Sequence, residues 1–183
     1  MKKGVPYLIF MAFIAMFSCE PTNPFDNGPV YDVDANLALD SAKIVSFLDT
    51  AQIDSLYRIH DPTGIVIIVQ EEGVGTRPTS GNVVYSDYIG SLLDDGSIFD
   101  TNLEQVAIDN DLYVEGRQYD IFNFVMGSGS VITGWDIAFR RVRPQTKGIM
   151  IIPSPWAYRN QDSNDRIPPN SVLLFEFDFR GID

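Results

Sequence analysis

Side chains able to support covalent or metal chemistry are sparse in this sequence of 183 residues. His60 is the only histidine and Cys19 the only cysteine, so neither a Ser-His-Asp nor a Cys-His catalytic site is expected. His60 stands beside the turn signal DPTG (61–64), outside the region expected to form strands, and is interpreted as a surface or helix-end histidine. The carboxylates of 109–116 and 160–165 lack the spacing of a calcium-binding loop. The sequence therefore predicts no metal site and no cofactor.

Phosphate and nucleic-acid chemistry is also disfavoured. The segment GSGS (127–130) lacks the Gly-Lys-Ser ending of a phosphate-binding loop and is interpreted as a tight turn. Arg140, Arg141 and Arg143 are expected at the C-terminal end of a helix, where cations complement the helix dipole. The formal net charge is −12, whereas phosphate binding needs clustered Lys and Arg. We therefore expect no nucleic-acid partner, and we interpret the acidic balance as an aid to solubility.

The candidates that remain for a functional role are aromatic and aliphatic. They are Tyr88, Phe99, Phe122, Val131, Ile132, Trp135, Tyr158, Ile167 and Phe175. By their spacing alone these residues favour a hydrophobic core, and a binding surface stays open as the alternative.

The N-terminus has the form of a targeting segment. Lys2 and Lys3 precede an apolar run (5–17) that is too short to span a bilayer, as in a signal peptide. A single cysteine just after such a run, Cys19, resembles the acylation site of a bacterial lipoprotein. The alternative is an ordinary signal peptide with an incidental cysteine. The lipoprotein interpretation predicts an exported protein that is bound to a membrane of the cell envelope through Cys19.

Four segments are expected along the chain: a signal peptide (1–18), a flexible tether (19–36), a helical extension (37–62) and a β-rich domain (63–183). The tether is rich in Pro, Asn and Asp and has no apolar period. Apolar residues recur at near-helical spacing from Leu37 to Ile59, with an interruption near Asp49 and Thr50.

The β-rich domain alternates apolar and polar residues in several short runs. Residues 82–93 place Val84, Ser86, Tyr88 and Gly90 on one face, and residues 171–179 place Leu173, Phe175, Phe177 and Phe179 inward. The strongest helix signal of this region is 133–142, with Thr133 as N-cap and with Trp135, Ala138, Phe139 and Val142 on one face. These patterns predict an α+β fold in which a short helix lies across a curved antiparallel sheet.

Four segments, in this order, resemble the FKBP family of peptidyl-prolyl isomerases. They are GNVVYSDYIGSLLDDGSIFDTN, FNFVMGSGSVITGWDIAF, IIPSPWAYR and IPPNSVLLFEFDF. The resemblance covers about 73–181 and implies an antiparallel sheet wrapped around one short helix, with a shallow hydrophobic pocket between them. It further implies isomerase activity on proline-containing polypeptides and binding of macrolide inhibitors, without a cofactor.

The resemblance also implies a role for each candidate residue. Trp135 would form the pocket floor beneath the proline ring. The walls would be Tyr88, Phe99, Phe122, Val131 and Phe175. The backbone N–H of Ile132 and the hydroxyl of Tyr158 would bind substrate carbonyls. Asp100 would face the twisting amide, and Ile167 would lie on the loop at the rim.

This chemistry explains why reactive side chains are not needed. The barrier of about 18–20 kcal/mol to peptide-bond rotation arises from amide resonance, and its crossing breaks no covalent bond. An isomerase has only to bind the twisted amide better than the planar one.

The sequence departs from the family pattern at two places that bear on the site. The connection 101–121 is longer than usual, and Arg159 stands where the family has glycine. These departures leave a second function open, a non-catalytic chaperone or protein-binding module with the same fold. An envelope scaffold without a working pocket is the third alternative.

Overall fold

The computed structural model describes residues 31–161 and 165–183, and within them seven strands form one antiparallel sheet. The strands are β1 (Tyr57–His60), β2 (Val66–Glu71), β3 (Val83–Leu92), β4 (Ile98–Thr101), β5 (Phe122–Val125), β6 (Lys147–Ile152) and β7 (Leu173–Ile182). The helices are α1 (Val33–Thr50), α2 (Glu104–Asp109) and α3 (Thr133–Phe139), with a short 3-10 helix at Ser154–Trp156. The order across the sheet is β1-β2-β6-β7-β3-β4, and β5 pairs with β3. The predicted α+β class is confirmed.

The two faces of the sheet carry separate hydrophobic cores. The larger core lies under α3 and contains the predicted helix face of Trp135, Ala138, Phe139 and Val142. The smaller core lies under α1, where Ile44 packs with Ile68, Ile151 and Leu174. Because the central strands β2 and β6 are buried on both faces, their sequences are nearly continuous aliphatic runs. Farther along the sheet, β3 and β7 show the predicted alternation of buried and more exposed residues.

The N-terminal boundaries differ from the prediction. Helix α1 begins at Val33, because the carboxylate of Asp32 caps it by accepting a hydrogen bond from the backbone N–H of Ala35 (2.9 Å). The predicted tether through 36 is therefore wrong for its last residues. The predicted signal peptide (1–18), Cys19 and the start of the tether lie outside the described residues.

The predicted helical extension through 62 is wrong after Thr50, where α1 ends. Residues 57–60 form β1, and His60 pairs with Val66 of β2, so this histidine belongs to the sheet and the sheet begins before residue 63. Three of the four residues of β1 are exposed, and an alternation of only four residues (YRIH) is too short to be told from the helical spacing that precedes it. In the part of the chain that the structure describes, no helix is long and apolar enough to span a membrane.

Helix α3 approaches the sheet closely at Gly134. A Cβ atom at this position would lie 2.9 Å from Cδ1 of Ile152 and closer still to its Cγ2. The sequence predicted Thr133 as the N-cap of α3. Thr133 is instead the first helical residue, and the N-cap is Ile132. Asp136 instead accepts a hydrogen bond from the backbone N–H of Gly127 (2.8 Å) and ties the helix to the preceding turn. The close approach brings the next residue, Trp135, against the strands.

We expect Gly134→Ala to lower the free energy of unfolding by about 1–2 kcal/mol. Overpacking against Ile152 costs about 1–3 kcal/mol, and alanine returns at most about 1 kcal/mol through helix propensity. The measurement is urea denaturation. Gly181→Ala is the matched control, because nothing lies within 4 Å of a Cβ there, and its effect should stay within about 0.5 kcal/mol. Equal midpoints for the two variants would contradict close packing at Gly134.

Candidate functional site

A pocket of about 150 Å³ opens between α3 and the sheet. It is lined by Tyr88, Phe99, Asp100, Phe122, Ser130, Val131, Ile132, Trp135, Tyr158 and Phe175. The structure thus brings together nine of the ten pocket residues that the sequence suggested, and it adds Ser130. Their individual roles stay predictions.

Trp135 lines this pocket and is held by rings packed at right angles to it. The centroid distances are 5.3 Å to Tyr88, 5.5 Å to Phe122 and 5.3 Å to Phe175, with interplanar angles of 86°, 87° and 89°. Edge-to-face pairs of this kind are favourable and directional. Trp135 is only 3% exposed, yet it borders a cavity of the size that holds benzene in other proteins, about 150 Å³. A proline ring is of similar size.

Two of the lining rings pack against β3 at a glycine. A Cβ atom on Gly90 would lie 2.7 Å from Cζ of Phe99 and 2.9 Å from Cε1 of Phe175. Any larger residue would displace these rings. Gly90 therefore fixes the positions of two lining rings, although it is not one of the lining residues.

An interrupted edge of the sheet brings Phe99 together with two other lining residues. Strands β4 and β5 both pair with β3, with Asp100 opposite Gly90 and Phe122 opposite Ser86. The connection between β4 and β5 runs over 102–121 and contains α2. It leaves the sheet edge at this point and makes up most of the long segment 101–121 that the sequence analysis noted. Phe99, Asp100 and Phe122 therefore meet beside Tyr88, although the insertion separates them in the sequence.

Two polar residues that the sequence analysis missed fill the gap in this edge. Asn102 Oδ1 accepts from the backbone N–H of Tyr88 (2.8 Å), and Asn102 Nδ2 donates to Asp87 Oδ1 (2.7 Å). Thr101 Oγ1 donates to the carbonyl of Tyr88 (2.7 Å). Thr101 and Asn102 are both buried. Thr101 and Asn102 hold the backbone of Tyr88 where neither β4 nor β5 pairs with β3. In the sequence, the only signal for them was two polar residues at the end of a strand.

The polar groups of the pocket converge on Asp100. The hydroxyl of Tyr88 donates to Asp100 Oδ2 at 2.6 Å. Arg117, from the insertion, lies 3.4 Å from Asp100 Oδ1 and donates to the carbonyl of Thr101 at 3.1 Å. A partly exposed pair of this length contributes at most about 1 kcal/mol, so Arg117 orients the carboxylate more than it stabilises the fold. The sequence analysis missed Arg117 because its distance from Asp100 depends on the path of the insertion.

Two residues with hydrogen-bond donors line the pocket from other segments. Ile132 is the N-cap residue of α3, and the N–H of an N-cap residue has no partner inside its helix. Tyr158 follows the 3-10 helix and lines the pocket with its side chain half-buried. Both residues stand where the family resemblance would have donors to substrate carbonyls.

The pKa values of the two pocket tyrosines are raised. Burial raises the pKa of Tyr88 most, followed by its hydrogen bond to Asp100 and by the charge of that carboxylate. Burial and the charge of Asp100 also raise the pKa of Tyr158. The neutral phenol is the form present below its pKa, so both hydroxyls remain neutral donors throughout the physiological range.

Ile167 is not among the lining residues of the pocket, and its predicted place at the rim stays a prediction. Its side chain is 2% exposed and belongs to the larger core. Arg159 has φ of +59°, a left-handed conformation that favours glycine. This explains the glycine that the FKBP pattern has there. No group of three or more His, Cys, Asp or Glu residues that could hold a metal ion occurs within 31–161 and 165–183.

Comparison with known proteins places the chain in a family. The sequence model of the FKBP-type peptidyl-prolyl cis-trans isomerases matches residues 75–179, more than half of the chain. The chain therefore belongs to the FKBP-type peptidyl-prolyl cis-trans isomerase family, which confirms the resemblance seen in the sequence motifs.

Relatives agree with this assignment. Human peptidyl-prolyl cis-trans isomerase FKBP4 is 34% identical over 124 residues, or 66% of this chain and 24% of that protein. Peptidyl-prolyl cis-trans isomerase FKBP53 of Arabidopsis thaliana is 32% identical over 117 residues, which are 63% of this chain and 22% of that protein. The chain thus spans about a quarter of the length of these relatives.

Two bacterial structures share the fold. FkpA from Escherichia coli has a TM-score of 0.58 at 23% identity, covering 82% of this chain and 62% of its own. A peptidyl-prolyl cis-trans isomerase from Pseudomonas syringae pv. tomato has a TM-score of 0.61 at 23% identity. The match covers 85% of this chain and 99% of that chain. At this level of identity the likeness concerns the fold alone.

We expect Tyr158 to be less ionised at pH 10 than an unperturbed tyrosine, which is about half ionised there. Because the pKa of Tyr158 is raised, Tyr158→Phe should remove clearly less than half of one tyrosinate equivalent from the absorbance of the folded protein at pH 10. The measurement is an ultraviolet pH titration of both proteins. A loss of half of one tyrosinate equivalent at pH 10 would contradict the buried, carboxylate-flanked position of this hydroxyl.

Proposed function

We propose that this chain catalyses the cis–trans isomerisation of Xaa-Pro bonds in polypeptide clients. The observation that carries the proposal is the aromatic pocket that Trp135 lines, with hydrogen-bond donors and one carboxylate among its other lining residues. Membership of the family supports it. Nothing in this pocket suits covalent catalysis, and the proposed reaction requires none.

The proposed mechanism separates anchoring from activation. The proline ring lies on Trp135, between the walls that Phe99, Phe122 and Phe175 supply. The N–H of Ile132 and the hydroxyl of Tyr158 bind the carbonyls on either side of the rotating bond. These fixed donors favour the twisted amide if they fit it better than the planar one. A barrier lower by about 5.5–7 kcal/mol corresponds to an acceleration of roughly 10⁴–10⁵-fold.

Removal of water from the amide contributes in the same direction. The planar amide is the more polar form, because resonance separates charge between oxygen and nitrogen. A pocket with aromatic walls solvates that form poorly. The carboxylate of Asp100 faces the same space, and Tyr88 and Arg117 fix its orientation. The same pocket suits macrolide-type inhibitors, which we propose as competitive ligands.

We expect the full chain to accelerate exchange in a series of proline tetrapeptides, followed by NMR without a coupled protease. Tyr158→Phe should lower kcat/KM by roughly tenfold or more, because loss of one fixed donor to a polar transition state has effects of about 10²–10³-fold in other enzymes. Tyr85→Phe is the matched control, since its hydroxyl donates to Asp183 Oδ2 (2.9 Å) away from the pocket. Exchange no faster than in buffer, with folded protein present, would rule the proposal out.

A second function is favoured by the insertion between β4 and β5. Val114 and Tyr113 are 56% and 47% exposed, and Tyr113 stacks on Tyr119 at 5.7 Å. Apolar groups exposed together beside a pocket are typical of surfaces that bind other polypeptides. The chain would then act as a chaperone or binding module for unfolded clients. Capture of an unfolded client without faster tetrapeptide exchange would support this function over the first.

We also propose that the protein acts at the cell envelope on exported proteins, held to a membrane by a lipid on Cys19. The support is the position of this cysteine directly after an apolar run with two N-terminal lysines. Cys19 lies outside the residues that the structure describes.

Cys19→Ser should move the protein from the membrane fraction to the soluble fraction when the full chain is expressed in a bacterium. A single acyl chain binds a bilayer only marginally, so stable retention also indicates further acylation or a second contact. Metabolic labelling with a fatty acid should mark the wild type alone. Equal membrane retention and equal labelling of both proteins would contradict lipidation at Cys19.

A further inference from the structure

Asp40 is an acidic residue on the buried face of α1. It is 3% exposed, and Ile44, one turn further along the helix, packs into the smaller core on the same face. A carboxylate removed from water is strongly unfavourable unless hydrogen bonds compensate for the lost hydration. The partners of Asp40 therefore indicate what this position does.

The carboxylate of Asp40 binds the first residue of the 3-10 helix. Its Oδ2 accepts from the backbone N–H of Ser154 (2.8 Å) and from Ser154 Oγ (2.6 Å). The residue that precedes the helix is Pro153, which provides no side-chain cap. Asp40 thus serves as the cap from 114 positions away in the sequence. Hydrogen bonds to a charged acceptor are stronger than neutral ones.

The turn that Asp40 caps carries the hydroxyl donor of the pocket. The carbonyl of Ser154 accepts from the N–H groups of Ala157 (3.1 Å) and Arg159 (3.0 Å), which flank Tyr158. A displacement of Ser154 would therefore be transmitted to Tyr158 through one short backbone loop. Trp156 holds the turn from another side by donating from Nε1 to the carbonyl of Thr63 (2.8 Å).

Tyr31, which precedes the N-cap residue of α1, contacts both ends of the same turn. The hydroxyl of Tyr31 lies 3.1 Å from Ser154 Oγ, and the guanidinium carbon of Arg159 lies 5.8 Å from the centre of the Tyr31 ring. The N-terminal segment therefore touches the first residue of the turn and the residue next to Tyr158. It does so from outside the region that the family model matches, 75–179.

We propose that α1 positions the Tyr158 hydroxyl for the pocket, with Asp40 as the positioning residue that acts through Ser154. The segment before the sheet is then part of the site's supporting structure and not only a connection. The kinetic part of the test rests on the proposed isomerase function, whereas the spectroscopic part does not.

The first test is a double-mutant cycle in the full chain. Asp40→Ala should lower kcat/KM for a proline tetrapeptide by roughly tenfold, within the range up to about 100-fold that a 1 Å misplacement causes. The loss in the Asp40→Ala/Tyr158→Phe double variant should be no larger than in Tyr158→Phe alone, because residues that act as a unit are not additive. Asp40→Asn keeps an oxygen acceptor for Ser154 and should recover part of the activity.

The second test follows Tyr158 itself by NMR of the protein with labelled tyrosine rings. The resonance is assigned by its loss in Tyr158→Phe. Asp40→Ala should shift it. Lys43→Ala is the matched control: Lys43 is also on α1, and its ion pair with Asp94 (3.0 Å) joins the helix to the β3–β4 turn instead. Lys43→Ala should leave both the Tyr158 resonance and kcat/KM unchanged.

The outcomes separate the two proposals. An unshifted Tyr158 resonance in Asp40→Ala, or activity losses that simply multiply in the double variant, would overturn the positioning role. A wild type without isomerase activity would defeat the proposed function, and the resonance shift would still decide the role of Asp40. If Asp40→Ala does not fold, Ser154→Ala removes the hydroxyl that contacts Asp40 and Tyr31 but keeps the backbone N–H bond to Asp40, and it should shift the same resonance by a smaller amount.

Discussion

The edge-to-face packing of Trp135 against rings from β3, β5 and β7 is the interaction on which the pocket depends. Gly134 permits it, because only a residue without a side chain lets α3 approach Ile152 so closely. Gly90 permits the matching approach of Phe99 and Phe175 on the sheet side. Since each ring is fixed by its neighbours, the cavity exists before any ligand enters, and binding requires little ordering of side chains.

Polar groups beside this apolar floor are secured by a different device, the interruption of one sheet edge. Where β4 ends and β5 has not yet begun, Asn102 and Thr101 satisfy the backbone of Tyr88. The chain can therefore leave the sheet for a long insertion without exposing an unpaired ladder. Arg117 returns from that insertion to Asp100, so a departure from the family pattern contributes directly to the electrostatics of the pocket.

The groups that face the pocket suit a reaction without proton transfer. Burial and the charge of Asp100 raise the pKa of Tyr158, so its hydroxyl remains a donor and does not act as a base. A donor of fixed charge state and fixed position can distinguish the twisted amide from the planar one. The hydrogen bond between Asp40 and Ser154 supports this donor from a distance, because Ser154 begins the turn that carries Tyr158.

The sequence by itself determined the antiparallel strands, the buried face of α3 and nearly all of the aromatic lining. These features follow from periods of two and 3.6 residues and from the order of local motifs, which are properties of neighbouring residues. The tertiary structure alone decided that Asn102, Arg117 and Asp40 support the site and that Ile167 belongs to the core. It also decided that β1 joins the sheet, since the alternation of this strand covers only four residues. Each of these outcomes depends on a partner distant in the sequence, and hydrogen bonds between distant residues leave no periodic signal in either segment.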